Sequence, residues 1–140
     1  MSSAAALYTH EVLTLATSLA AWPLEPGLPL TGSARAVTCG STIELGLALD
    51  LQLRIVRIGL RTHSCAIGQA AAAIFAGAAT GHTGQDIAAA QAAIESWLWG
   101  GANPDWPGFS AISAARAFPA RHGAILLPWR AALVALDQPG

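Results

Sequence analysis

The stretch TIELGLALDLQLRIVRIGL, residues 42–60, decides the fold class. Ile43, Leu45, Leu47 and Leu49 alternate with Thr42, Glu44, Gly46 and Ala48, the period of two that a strand with one buried face requires. After Asp50 the alternation resumes, with Arg54, Val56, Ile58 and Leu60 set against Leu53, Ile55, Arg57 and Gly59. Two such runs separated by a short turn predict a β-hairpin. Residues 34–38, just upstream, supply a short candidate third strand. Downstream the period changes: residues 64–79 are rich in Ala and carry Ile67, Ile74 and Phe75, which predicts a helix whose small side chains allow close packing on the sheet.

Working outward, Leu7, Val12, Leu15, Leu19 and Trp22 recur near helical spacing and predict a first helix over 7–22, which Pro23 ends. Residues 23–32 hold three Pro and two Gly and read as an irregular connector. Thr83 with Asp86 three residues on is a helix-start signature, followed by Ile87, Ile94, Trp97 and Leu98. Residues 100–108 contain Asn103-Pro104 and Trp106-Pro107 and read as a loop; 109–118 predict a short helix and 123–136 a last one. The order helix, antiparallel strands, then several helices implies an α+β fold, a small antiparallel sheet of about three strands with helices packed on one face.

The 140 residues match one domain over 1–140, and a chain of this size buries about two-thirds of its unfolded surface. It needs no staple, so any metal would serve function rather than folding. Seven Arg, no Lys and eight acids give a formal charge of -1, which provides no basic footprint for nucleic acid. Mean hydropathy is +0.48, yet the longest uncharged run, between Arg61 and Asp86, is mostly Ala, Gly and Thr and contains His63, Gln69 and His82. A buried helix and loop explain that run better than a membrane span. The first residues have no basic leader and carry Glu11 within their apolar stretch, so the expectation is a cytoplasmic protein with reduced cysteines.

Those cysteines are the chemistry-bearing residues. Cys39 precedes Gly40 at a predicted turn, and Cys65 stands at the first turn of the Ala-rich helix, where unpaired amides favour a thiolate. Strand pairing as read brings both to one edge of the sheet, and His122 joins them if the last helix points the same way. Two thiolates and an imidazole suit zinc or an iron-sulfur centre. Two cysteines in an Ala-rich core also fit as small apolar fillers, and spacing alone does not choose. His63 is an alternative imidazole near Cys65, while His10 and His82 read as surface positions. Trp97, Trp99, Trp106 and Phe109 crowd one helix end, as a cover for the core or as an aromatic patch for a partner. Neither a phosphate loop nor a zinc-protease helix nor a nucleophile elbow is present.

The same residues carry a resemblance. Leu7-Tyr8-Thr9-His10-Glu11-Val12-Leu13, Thr38-Cys39-Gly40-Ser41, Ser64-Cys65-Ala66-Ile67 with the small residues after it, and Phe118-Pro119-Ala120-Arg121 followed by residues 126–131 appear in order along nearly the whole chain. Together they resemble the IscU/NifU iron-sulfur cluster scaffold family, and its SufU branch most. The resemblance implies a non-enzymatic scaffold or sulfur and metal carrier, an iron-sulfur cluster or zinc as cargo, and a cysteine desulfurase as partner. It implies Cys39 and Cys65 as ligands; the His that precedes the third Cys in the IscU branch falls on Gly123, so His122, displaced by one, enters as a third ligand only from the reading of the residues above. The family's ligand set is three Cys and one Asp; here the Asp position holds Ser41 and the third Cys position holds Ala124. Two readings follow: a carrier with a reduced ligand set, including a homodimer that shares the site, or a metal-free homologue acting only through protein contacts. A reversible Cys39–Cys65 disulfide is a third reading. A Cys-His nucleophile lacks an orienting acid.

Overall fold

The computed structural model describes residues 7–137. Its elements are α1 (His10–Thr17), β1 (Leu30–Arg35), β2 (Thr42–Leu49), β3 (Ile55–His63), α2 (Ala66–Ala79), α3 (Gly84–Leu98) and α4 (His122–Leu136), with a 3-10 segment over Phe109–Ala117 before α4. The strands form one antiparallel sheet in the order β1-β2-β3, so the α+β expectation holds. Leu45 pairs with Leu60 and Leu47 with Ile58, which sends these residues to the same face, while a register shift at Ala48/Leu49 breaks the second alternation, burying Ile55 and leaving Val56 exposed.

That face receives the helices. α4 lies across β1 and β2, α2 lies against β3 and α4, α1 packs on α2, and α3 on α4. Gly32 in β1 is what lets α4 come so close, because a Cβ there would collide with the backbone of Ala131 and Ala135. Ala70, Ala71, Ala72 and Ala73 are all buried, so α2 is enclosed by its neighbours at small radius. Between the helices Phe75 stacks on Trp106 at 5.7 Å and meets Trp129 edge-on at 5.4 Å, while Trp97 meets Phe109 edge-on at 4.9 Å. Such pairs add about 0.5–1.5 kcal/mol each beyond the area they bury. Trp97, Trp106 and Phe109 therefore cover the core as one of the two readings had it, and Trp99 alone of that group is exposed.

The connector after Trp22 explains the two outward-facing glycines. The Leu60 amide donates to the Trp22 carbonyl at the β3 edge, and the chain then crosses the outer face of the sheet. A Cβ at Gly59 would strike the Pro23 carbonyl, and one at Gly46 would strike the Leu28 side chain. Ion pairs of Arg57 with Glu25 and of Arg61 with Glu44 line the rest of that face.

Besides β3, which starts at Ile55 and runs on to His63, three boundaries differ from expectation. The third strand is Leu30–Arg35 rather than 34–38, because residues 36–41 are used by a closed turn. The first helix yields to a 3-10 turn at Ser18–Ala21; the hydroxyls of Thr14, Thr17 and Ser18 donate to backbone carbonyls there, a competition that loosens helices. The segment after Gly108 is 3-10 with a kink at Ile112. The Thr83–Asp86 capping box forms as read. Among the described residues no helix is long and apolar enough to cross a membrane.

Candidate functional site

Strand register fixes where the thiols go. Arg35 pairs with Thr42 and Thr42 with His63, so the β1–β2 turn and the β3–α2 junction lie at one end of the sheet. Cys39 sits in the first and Cys65 in the second. The turn is closed by two backbone hydrogen bonds, Ala36 N–H to the Ser41 carbonyl and Gly40 N–H to the Ala36 carbonyl, both 2.8 Å. Gly40 adopts φ +72°, a left-handed conformation that a side chain would make costly. Its glycine is thus what aims Cys39.

The first turn of α4 bridges the two places. A Cβ on Gly123 would come 3.0 Å from the Ala36 Cβ and 3.6 Å from the Thr38 hydroxyl, which sets the helix start against the Cys39 turn. On its other side, Ala124 would lie 3.3 Å from a Cβ on Gly68, one turn into the helix that Cys65 caps. Three elements therefore meet around one rim: the β1–β2 turn, the start of α2 and the start of α4. Both cysteines are free thiols of intermediate exposure, packed against the core while reachable from outside.

Cys39 is the better activated on geometry. Its Sγ lies 3.1 Å from the Ser41 hydroxyl, which is itself buried. A hydroxyl donating to sulfur favours the thiolate, and this hydrogen bond holds the Cys39 thiol below its ordinary range; partial burial opposes it, and the Arg121 guanidinium assists. Arg121 also reaches the Tyr8 hydroxyl at 3.4 Å, tying the segment before α1 to the rim. Ser41 carries no charge to offer a metal, so its role in the geometry is to support sulfur.

His122 stands apart from this pair. Its Nε2 donates to the Arg116 carbonyl at 2.8 Å, and its ring faces the groove between α3 and α4 with Trp99, Leu126 and Arg130. Among the described residues, no three His, Cys, Asp or Glu side chains form a group that could hold a metal ion. Cys39 and Cys65 are soft donors of the type zinc and iron take, and a tetrahedral site would need further ligands beside them. His63 ends β3 exposed, His10 is exposed at the start of α1, and His82 stacks on Trp106 at 5.1 Å beside Asp86. Sequence reasoning did not see Arg121 and Tyr8 as part of the rim. They are 113 residues apart, and no local pattern links them. The two-residue spacing of Cys39 and Ser41 was the legible signal for their hydrogen bond.

No family model matches the chain, and no curated protein matches it. Solved structures do share its fold. The N-terminal part of a nitrogen-fixing NifU-like protein from Brucella abortus superposes with a TM-score of 0.81 at 21% identity, over 92% of this chain and 91% of that one. An iron-sulfur cluster assembly scaffold protein assigned to the SUF system of Fervidobacterium islandicum AW-1 gives 0.85 at 19% identity, over 96% and 100%. A third, described as hypothetical, gives 0.76 at 20% identity, over 92% and 98%. The chain has a SufU/NifU-like fold over almost its whole length.

Proposed function

We propose that this protein acts in iron-sulfur cluster assembly as a non-enzymatic scaffold or carrier of the SufU/IscU type, with Cys39 and Cys65 holding the cargo. The cargo is an iron-sulfur cluster, iron or zinc, the partner that delivers sulfur is a cysteine desulfurase, and the setting is the cytoplasm. What carries the reading is the convergence of three chain elements on one rim that bears both thiols of the molecule, each partly exposed, within the fold of scaffold proteins.

The roles follow from the geometry. Cys39, favoured as a thiolate by Ser41 and Arg121, is the stronger soft donor and the natural acceptor of delivered sulfur or metal. Cys65, at the head of α2, is the second ligand. His122 enters as a third only by releasing the Arg116 carbonyl and swinging out of the α3–α4 groove, so it serves as an exchangeable ligand rather than a fixed one. A site with two fixed thiolates holds a cluster loosely, which suits transfer more than storage.

Anaerobic reconstitution with ferrous iron and sulfide tests this. Visible absorption with iron bound above background, lost in Cys39→Ala and in Cys65→Ala, is the expected result. Wild-type protein without bound metal, or equal binding in Cys39→Ala, rejects it. One observation favours a second reading, a metal-free interaction module: Ala124 is fully buried and Ser41 is committed to Cys39, so neither position offers a ligand. Partner binding that survives chelators and both Cys→Ala changes would select that reading.

A further inference from the structure

We propose that the β2–β3 turn is the contact by which two copies of this chain pair, at the end of the sheet away from the cysteines and with no metal between them. Such a pair is independent of whatever the thiols bind. β2 runs from Thr42, at the thiol rim, to Leu49, at the turn, so roughly 25 Å of sheet separates the two ends at about 3.3 Å per residue. Two leucines stand in water at the far end: Leu51 is 96% exposed and Leu53 65%. Beside them a groove of about 600 Å³, with Leu30, Leu49, Leu53 and Leu136 in its walls, opens between the turn, the start of α3 and the end of α4. A single exposed apolar side chain is ordinary, but two leucines next to a leucine-walled groove make a contiguous patch.

The turn holds those leucines in place. Asp50 Oδ1 accepts from the Gln52 and Arg54 amides, the Leu53 amide donates to the Asp50 carbonyl, and the Asp50 amide donates to the Arg54 carbonyl. Arg54 donates from Nη1 to the Gly81 carbonyl at 2.8 Å and the Ile55 amide donates to the His82 carbonyl, which fixes the turn to the loop before α3. Leu53 holds φ +63°, the left-handed region that suits glycine and is costly for a side chain. Most of that side chain lies outside the packing of its own fold. A strained backbone whose side chain buries little within its own chain points to a contact beyond it.

Charge decides what fits. None of the residues lining the groove is ionisable, so an acidic or a basic segment finds no ionic partner inside it, and the occupant is apolar and neutral. Leu51-Gln52-Leu53 is such a segment, and it stands beside the groove it would fill, which is the condition for a self-complementary two-fold contact. With the two turns antiparallel and Gln52 on the axis, Leu51 of one copy meets Leu53 of the other at the mouth of its groove, and Asp50 meets Arg54. Those charges are available. Asp50 engages backbone amides through Oδ1 and Arg54 engages a carbonyl through Nη1, and among the described residues neither has an ion-pair partner. The thiol rims lie at the two outer ends of such a pair and stay open.

Sedimentation equilibrium of the reduced full chain, with a chelator present and protein raised from micromolar to millimolar, tests the pairing. The mass is expected to rise from one chain to two, and to do so equally in a variant carrying both Cys39→Ser and Cys65→Ser. Leu51→Asp, at a solvated position, is expected to keep the wild-type melting temperature and stay a single chain. Arg54→Glu, which sets two acids against each other across the axis, is expected to raise the dissociation constant about tenfold or more. Leu53→Gly is expected to melt no lower than wild type, because glycine accepts the left-handed backbone, while weakening the pair. Single-chain mass at every concentration would overturn the pairing. A pair that survives Leu51→Asp unchanged, or that requires the cysteines, would overturn its placement at this turn, and a Leu53→Gly variant that melts lower yet pairs as wild type would reduce Leu53 to a part of the fold and overturn its role in the contact.

Discussion

Cys39 Sγ and Ser41 Oγ lie 3.1 Å apart across a turn that Gly40 closes, so the Ser41 side chain acts on the neighbouring sulfur. The serine is buried and the cysteine is not. That arrangement lowers the Cys39 thiol by hydrogen bonding, with Arg121 adding to the effect and burial subtracting from it.

Removing the hydroxyl should therefore shift reactivity. In Ser41→Ala the Cys39 thiol is expected to titrate at higher pH than in wild type, because the thiolate loses its donor while the neutral thiol loses little. The pH dependence of alkylation by iodoacetamide, read at Cys39 by mass spectrometry, checks this. Arg121→Gln should move the same profile upward by a smaller step, and an unchanged profile in Ser41→Ala would separate the hydroxyl from the sulfur's reactivity.

Gly40→Ala probes the turn itself. A left-handed residue with a side chain costs roughly 1–2 kcal/mol. The midpoint of urea unfolding should fall accordingly, and metal binding should weaken as Cys39 is displaced.

The core offers a cleaner contrast. Trp129 is fully buried among Phe75, Trp106 and Phe109, yet its indole N–H has no hydrogen-bond partner. Trp129→Ala is expected to cost about 3–5 kcal/mol through the cavity it opens. Trp129→Phe should cost much less, since it keeps an aromatic filler and removes an unpaired donor. Denaturant melts of the two variants measure the difference.

Acid stability has one identifiable contributor on the α3 cap. Asp86 accepts from the Thr83 amide and lies near His82, and the amide, chiefly, holds its carboxyl below the usual carboxylate range. A group depressed on folding contributes stability that is fully present above its unfolded pKa and is lost as pH falls through the folded value. Asp86→Ala should accordingly lower the melting temperature at neutral pH and shrink the further loss below about pH 4, the ordinary carboxylate range.

The sequence made parts of this legible for definite reasons. Alternation in 42–49 is a direct imprint of one-sided burial, and β2 lies there. The run read at 53–60 forms a strand at Ile55–His63, shifted because a bulge opposite Ala48/Leu49 buries Ile55 and exposes Val56. β1 was read four residues too late, because Thr31, Gly32 and Ser33 look like loop residues; Gly32 is in the strand for the sake of the α4 backbone, a contact no local window contains. The Thr83–Asp86 box is local chemistry and was read correctly. At the site, register alone brought Cys39 and Cys65 to the same end of the sheet, since it depends only on pairing within the hairpin. The orientation of His122 was not legible, because it is set by the Arg116 carbonyl at the end of a 3-10 segment that propensity does not define.

Cobalt(II) titration of the reduced protein, followed by its sulfur-to-metal charge-transfer absorption, tests most directly whether the two sulfurs grip one soft ion. The expected spectrum is an intense thiolate band in wild type that saturates, responds to competing zinc, and disappears in Cys39→Ser and in Cys65→Ser alike. A wild-type spectrum without that band, or one that survives intact when either cysteine is replaced, would contradict joint binding at the rim.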